Sequence, residues 1–221
     1  MRDIPESPKL FSFEFLALCL ILMAAFCNVS VFYGFYHYLG VIGIPLAWRG
    51  FLVGLEPMAA FALRLFVIPW IQARNAYTVL MVSLFLMIAA SCSYLWVVTV
   101  PSMVLLRIVH GAAIVLLTSA VIALIVQFIP AEKSAQGFSI VSISTMIPYS
   151  VMPTLTEAIL SHVRSEAVIY AGVSAFSGMS ILLLAALRNR FIAVLRNMDT
   201  ALTRRPRMDE IRENLDRKSV V

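Results

Sequence analysis

The stretch that decides the fold runs from Val104 to Gly137 and reads VLLRIVHGAAIVLLTSAVIALIVQFIPAEKSAQG. Its long apolar part contains one charged side chain, Arg107, and a short polar loop follows at Pro130. An ionised side chain inside a membrane-length apolar segment is costly unless it faces protein or water. We therefore predict that Arg107 points into the polar interior of a bundle of membrane helices.

The composition of the whole chain supports a membrane protein. Hydrophobic residues make up 61% and charged residues 13% of the 221 residues, against roughly 45–50% and 25% in an average soluble domain. A soluble core of this size could not hide so much apolar surface, whereas a lipid bilayer solvates it. The first apolar segment is too long for a signal-peptide core and lacks a small-residue cleavage site, so it should be retained.

Six apolar segments each reach the ~20 residues that a helix needs to cross the hydrocarbon. The predicted helices cover residues 11–38, 46–70, 77–98, 101–128, 135–160 and 168–187. The chain is thus divided into a tail (1–10), a six-helix bundle (11–187) and a basic segment (188–221). Proline removes a backbone hydrogen bond, so Pro57, Pro148 and Pro153 are predicted kink sites within the second and fifth helices.

The basic residues indicate the orientation. Six spans place both termini on one side, and that side carries Arg2, Lys9, Arg74, Lys133 and the nine basic residues from Arg188 onward. The opposite side carries Arg49 and Arg164. The positive-inside rule then predicts cytoplasmic termini.

Apolar residues at helical spacing predict an amphipathic helix in segment 188–221, which its arginines would hold to anionic headgroups. The net charge of +5 therefore indicates a membrane face rather than a nucleic-acid partner.

Intramembrane polar residues are candidate functional sites by default. Arg107 is the main one; the alternative is a structural pairing with Glu56 or Glu157. Burial favours the protonated form of a carboxyl group and a nearby arginine favours the ionised form, so Glu56 either carries a proton or only neutralises Arg107. His110, one turn from Arg107, either lines a cavity or bonds a nearby backbone or hydroxyl group.

The first helix ends in an aromatic cluster that has two interpretations. Tyrosines are enriched where a helix meets the headgroups, which favours an interfacial anchor. Alternatively Asn28, Phe32 and Phe35, about one turn apart, face a substrate cavity.

Enzyme signatures are absent from the sequence: there is no phosphate-binding Gly-rich loop and no HExxH motif. The cysteines lie in apolar segments without metal-ligand spacing. We predict no enzyme, no cofactor and no metal site.

Residues 104–137 resemble helices four and five of the major facilitator superfamily. The resemblance lies in Arg107 with Gly111 one turn on, in the loop from Pro130 to Lys133, and in Gly137. In the family that arginine is associated with substrate or proton coupling. Pro153 matches the proline of the family's helix-five motif, although the neighbouring glycines are missing. The gate loop between helices two and three retains two arginines but not the acid; its candidates are Arg64, Gln72, Arg74 and Asn75.

This resemblance implies an all-α N-terminal half with two inverted three-helix repeats, residues 11–98 and 101–187. It further implies secondary active transport of a small solute or drug, driven by an ion gradient, in a bacterial inner membrane. Six helices form one wall of such a site, so a second six-helix half from another chain or a second copy is needed. The alternative is a non-transporting scaffold or assembly subunit, or a truncated fragment.

Overall fold

The computed structural model describes residues 10–193, and this part of the chain is helical without a strand. Its helices are α1 (Phe13–Ser30), α2 (Phe35–Val41), α3 (Leu46–Val67), α4 (Ala73–Ser93), α5 (Val100–Ile125), α6 (Ser134–Leu160) and α7 (Glu166–Ala186). Residues 188–193 are also helical. Apart from Leu10 and residues 188–193, the predicted tail and the predicted amphipathic basic segment lie outside the described residues.

Six helical spans in this part of the chain are long and apolar enough to cross a membrane, as predicted. They are Phe13–Val41, Leu46–Trp70, Arg74–Ser93, Val100–Phe128, Ala131–Leu160 and Glu166–Ala186. The first joins α1 and α2 through a short 3-10 turn, Val31–Gly34. The third differs most from its prediction. It begins earlier, because Gln72 and Asn75 cap the start of α4, and it ends at Ser93 in a turn.

The helices α1 and α5 lie at the centre of the bundle, each packed against three others. The helix α5 packs against α1, α3 and α4, while α1 also packs against α6 and α7, and α4 packs against α7. These helix pairs form a symmetric pattern. If α1 is exchanged with α5, α3 with α6 and α4 with α7, the same set of principal helix pairs results. The helix α3 is the least buried, since Leu52 and Glu56 are its buried residues.

Two hydrophobic clusters fill the bundle, one towards each end. The cluster at the end that carries Leu10 and residues 188–193 includes Phe15, Leu124 and Phe191. The cluster at the opposite end is rich in aromatic residues and includes Phe35, Tyr94 and Tyr170. Four polar residues singled out by the sequence are buried in the bundle, namely Asn28, Glu56, Arg107 and His110.

The turn between α2 and α3 requires a glycine. Gly43 has a φ of 81°, a left-handed conformation that costs other residues roughly 1–2 kcal/mol. Gly43→Ala should therefore lower the apparent melting temperature in nanodiscs, followed by tryptophan fluorescence. The matched control is Gly50→Ala, because a Cβ atom there meets open space. An equal change in melting temperature for Gly43→Ala and Gly50→Ala would contradict the left-handed conformation of Gly43.

Candidate functional site

A cavity of about 720 Å³ lies beside the central helix. Residues of α1 and its 3-10 turn, α3, α5 and α6 line it, and α3 and α6 are not among the helix pairs in close contact. Its lining is mainly apolar and aromatic, including Phe26, Phe32, Tyr33, Phe61 and Tyr149. Its polar residues are Ser30, Glu56, Arg64, Arg107 and Thr118. The sequence-predicted residues Arg107 and Glu56 are thus brought together in the wall of one cavity.

The Arg107 side chain is buried, with 2% of its surface exposed, and makes four hydrogen bonds. Nε donates to the Leu52 carbonyl oxygen at 3.1 Å, and Nη2 donates to the Val53 carbonyl oxygen at 3.0 Å. Nη2 also donates to Glu56 Oε2 at 3.2 Å. Nη1 donates to the Tyr94 hydroxyl at 3.4 Å. The predicted pairing with Glu56 is present, and Glu157 is not a partner of Arg107.

Pro57 explains why α3 offers the Val53 carbonyl oxygen to Arg107. A helical residue donates its N–H to the carbonyl four residues earlier, and proline has no N–H. The Val53 carbonyl therefore lacks its intrahelical donor, and Arg107 supplies one from α5. Pro57, a kink site predicted from the sequence, thus lies within the continuous helix α3 where a second helix supplies the missing hydrogen bond.

Gly111 lets the two helices come close enough for these bonds. A Cβ atom on Gly111 would lie 2.6 Å from the Glu56 carbonyl oxygen and 3.1 Å from the Ala59 Cβ. Glycine at a helix interface permits this close approach of two backbones. Gly111 is one turn from Arg107 on the same helix, so both residues act on the same segment of α3.

His110 lies behind the cavity wall rather than in its lining. It is fully buried, and its Nδ1 is 3.1 Å from the Tyr94 hydroxyl. Its ring packs edge-on against Phe32 with centroids 5.0 Å apart. Its Nε2 has no hydrogen-bond partner among the described residues. Of the two interpretations left open by the sequence, the geometry matches a histidine bonded to a nearby hydroxyl.

The three candidates at the end of the first helix have three different surroundings. Asn28 is buried and donates to the Ala24 carbonyl at 2.9 Å and to the Ser177 hydroxyl at 3.3 Å. Phe32 lines the cavity and stacks on Tyr170 with centroids 4.2 Å apart. Phe35 lies under Arg107, whose guanidinium carbon is 4.4 Å from the ring centroid. Phe32 alone of the three lines the cavity.

Two of the four gate-loop candidates serve as helix caps. The backbone N–H of Gln72 donates to Asn75 Oδ1 at 2.8 Å, and Asn75 Nδ2 donates to the Trp70 carbonyl at 2.7 Å. Arg64 lines the cavity. Arg74 is exposed and has no ion pair within residues 10–193.

The two prolines predicted as kink sites in the fifth span lie inside α6. Both fall within one continuous helix, Ser134–Leu160. Pro148 is buried, whereas Pro153 lines the cavity. Pro153 therefore belongs to the cavity wall, and Pro148 belongs to the packed face of the same helix.

No protein-family model, curated protein or solved structure matches this chain. The site is therefore interpreted from its own geometry. Within the described residues, no group of three or more His, Cys, Asp or Glu side chains is placed to hold a metal ion. What the cavity does contain is one buried carboxyl–guanidinium pair in a wall that is mainly apolar and aromatic.

Sequence reasoning missed Tyr94, which connects the polar groups. Its hydroxyl contacts both Arg107 and His110, and its backbone carbonyl accepts a hydrogen bond from the Tyr38 hydroxyl at 3.0 Å. A tyrosine at the end of an apolar span resembles an interfacial anchor in the sequence. No pattern in the sequence distinguished Tyr94 from the other tyrosines that lie near span ends.

Proposed function

We propose that the chain is a six-helix half of a major-facilitator-type secondary transporter that moves a small solute through the main cavity. A second six-helix half, from another chain or from a second copy, would complete the cavity. The observation that carries this proposal is the buried Glu56–Arg107 pair in the wall of a cavity of about 720 Å³. Pockets for small molecules typically measure about 300–1,000 Å³ and are mainly apolar with a few placed polar groups.

The helix contacts support the same class. Their symmetry on exchange of α1, α3 and α4 for α5, α6 and α7 is what two related three-helix units would produce. Inverted repeats with a site near the membrane midplane are common in secondary transporters. If the chain lies in a bacterial inner membrane with both termini in the cytoplasm, the excess of basic residues is on the cytoplasmic side, as the positive-inside rule requires.

The pair offers a route for coupling to an ion gradient. Arg107 has three acceptors besides Glu56, so its position does not depend on the carboxylate alone. Glu56 has Arg107 as its ion-pair partner at 3.2 Å. Protonation of Glu56, or displacement of its carboxylate by an anionic group of a solute, would therefore change the charge of the cavity wall without releasing Arg107. In this mechanism Glu56 is the exchangeable member of the pair.

Glu56→Gln should abolish solute-driven proton movement in proteoliposomes that contain a pH-sensitive dye. Glutamine keeps the size and a hydrogen-bond acceptor but cannot be ionised. We expect at least a tenfold loss of proton flux for any solute active with the unmodified chain. The matched control is Glu132→Gln, an exposed glutamate in the loop before α6, which should leave the flux unchanged. An active Glu56→Gln protein would refute the coupling role.

One observation favours the second candidate, a non-transporting scaffold or assembly subunit. The Glu56 carboxylate balances the charge of Arg107, and four hydrogen bonds orient its side chain without any ligand, as expected of a purely structural arginine. Two measurements together distinguish the two candidate functions. Native mass spectrometry in nanodiscs, over a range of protein concentrations, gives the oligomeric state, and the flux assay shows whether a solute moves. A dimer that moves a solute supports transport. A dimer or monomer that moves none of the solutes in a broad panel supports the scaffold.

A further inference from the structure

The wall of the main cavity carries an excess of positive charge. Among the described residues that line it, Glu56, Arg64 and Arg107 are the charged ones. Glu56 and Arg107 form an ion pair at 3.2 Å, so their charges balance each other. Arg64 forms no ion pair with any residue of the range 10–193. The excess is therefore one positive charge, and Arg64 carries it.

Arg64 lies on the side of α3 that faces the cavity. Residues four apart share one face of a helix, and Glu56, Ala60 and Arg64 line the cavity in succession. Eight residues of α-helix rise about 12 Å, so Arg64 lies that far along α3 from the buried ion pair. The next two residues, Leu65 and Phe66, are 69% and 71% exposed and do not line the cavity. The guanidinium thus belongs to the cavity face of α3 rather than to its apolar outer face.

A smaller cavity adjoins the main one at Arg64. It has a volume of about 330 Å³, and Arg64 and Thr118 line both cavities. Ser119 adds a second hydroxyl group from α5, and the rest of its lining is aliphatic (Ile68, Ile71, Ile122 and Ala123). The arginine therefore lies where two cavities meet, between α3 and the hydroxyl-bearing face of α5.

Aromatic side chains provide the apolar surface of the main cavity near this charge. Phe61 precedes Arg64 by one helical turn and lines the same cavity. Phe26 of α1 and Tyr149 of α6 also line it, and their rings pack edge-on with centroids 5.8 Å apart. Aromatic rings bury large apolar areas and pack favourably on other rings. A solute in this cavity therefore meets one uncompensated guanidinium and several aromatic faces.

We propose that the solute of the main cavity is an organic monoanion with an aromatic or apolar body, whose carboxylate binds Arg64. A guanidinium presents its N–H donors in a planar fork that matches a carboxylate. An ionised side chain within a membrane span is costly without a partner, and the carboxylate supplies one. An organic cation would meet an excess of positive charge, because the Glu56 carboxylate already accepts a hydrogen bond from Arg107.

This inference rests on the proposed function, since it names the class of solute that the proposed transporter would move. It holds when the second half is a second copy of the chain. Each copy brings its own Arg64 and its own balanced Glu56–Arg107 pair, so the positive excess of the completed cavity doubles. The charge can nevertheless be tested on the isolated chain, because binding at equilibrium needs no movement of the solute.

The test is calorimetric titration of the chain with phenylpropionate in phosphatidylcholine nanodiscs, after subtraction of the heat measured with empty nanodiscs. Phenylpropanol and phenylpropylammonium, similar in size but neutral and cationic, serve as ligand controls. We expect saturable binding of phenylpropionate and at least tenfold weaker binding of both controls.

Three variants identify the group that recognises the charge. Arg64→Gln should weaken phenylpropionate binding at least tenfold. The matched control is Arg74→Gln, because Arg74 is an exposed arginine at the start of α4 that lies outside the cavity lining; affinity should change less than twofold. Arg64→Glu gives the wall an excess of negative charge, so this variant should bind phenylpropylammonium more tightly than phenylpropionate. Should Arg64→Glu fail to fold, as judged by its thermal unfolding, the comparison of Arg64→Gln with Arg74→Gln decides.

Three results would overturn the proposal. The first is absence of saturable phenylpropionate binding to the unmodified chain. Retention of phosphatidylglycerol by the unmodified chain but not by Arg64→Gln, in native mass spectrometry, would then assign the arginine to a lipid headgroup. The second is equal binding of phenylpropanol, which would show an apolar pocket without charge recognition. The third is unchanged affinity in Arg64→Gln.

Failure of the anion site and failure of the transport proposal give different results. Saturable, Arg64-dependent binding of phenylpropionate without any flux of solutes in proteoliposomes would support the anion site and refute transport. Flux of a neutral or cationic solute, without saturable phenylpropionate binding, would support transport and refute the anion site.

Discussion

Replacing Arg107 with methionine should lower the free energy of unfolding by about 3–5 kcal/mol, the usual cost of removing one partner from a buried ion pair. Methionine fills a similar length but donates no hydrogen bond. The Glu56 carboxylate, whose residue is 7% exposed, would lose its counter-charge, and the Leu52 and Val53 carbonyls would lose their donors. The unfolding of the chain in nanodiscs, followed through its tryptophan fluorescence, measures this loss.

Arg164→Met is the matched control for this prediction, because Arg164 is exposed and has no ion pair among the described residues. Its effect should stay within about 0.5 kcal/mol, as for most surface substitutions. An Arg107→Met protein as stable as the Arg164→Met protein would show that the four hydrogen bonds contribute no net stability.

A double-mutant cycle with Pro57 tests the physical cause more sharply. Pro57→Ala restores an N–H group that can donate to the Val53 carbonyl within α3. Arg107→Met should therefore be less destabilising in the Pro57→Ala background than in the unmodified chain, with a coupling of about 0.5–3 kcal/mol, as expected for residues that share a partner. Strict additivity would mean that Arg107 does not replace the hydrogen bond that Pro57 removes.

Gly111→Val should have the second-largest effect. The first added carbon would lie 2.6 Å from the Glu56 carbonyl oxygen, and backbone cannot yield as a flexible side chain does. Overpacking alone costs about 1–3 kcal/mol, and separation of α5 from α3 would also stretch the hydrogen bonds of Arg107. We expect loss of thermal stability together with loss of any flux that depends on Glu56.

The neighbouring glycine of α3 provides the control. At Gly54 an added Cβ would come no closer than 4.0 Å to the Met58 sulfur, so Gly54→Ala removes a flexible residue from a helix without a clash. It should leave stability unchanged or raise it by roughly 0.5–1 kcal/mol. A Gly111→Val protein that melts like Gly54→Ala would place the two helices further apart than described above.

The six spans were predicted from the sequence, and a pairing of Arg107 with Glu56 or Glu157 was one of its two interpretations, for the same physical reason. Lipid admits long apolar helices, and an arginine inside one of them requires an acid or a carbonyl within reach. The composition of the chain shows the long apolar helices, and the position of Arg107 within one of them shows the need for a polar partner. The sequence did not predict that the Val53 carbonyl would be an acceptor, although Pro57 removes the donor for it, because the register between α3 and α5 is set by tertiary packing.

The roles of the other candidates depended on rotation of a helix about its axis. Asn28 and Phe32 are one turn apart and both contact α7, through Ser177 and Tyr170 respectively, yet Phe32 also lines the cavity and Asn28 does not. Helical periodicity predicts the shared side of the two residues but not which of them reaches the cavity. Likewise Gln72 and Asn75 occupy gate-motif positions but act as caps, a use that residue type alone does not distinguish.

The way α3 is held has a mechanical consequence. With few buried side chains of its own, α3 is held to the bundle mainly by α5, which packs closely against it at Gly111 and donates hydrogen bonds from Arg107 to the carbonyls of Leu52 and Val53. The missing backbone bond at Pro57 weakens the helix against bending immediately beyond these hydrogen bonds. Displacement of α3 should therefore be a bend at Pro57, in which the part of the helix after Pro57 moves while the part before it stays bonded to Arg107, rather than a sliding of the whole helix.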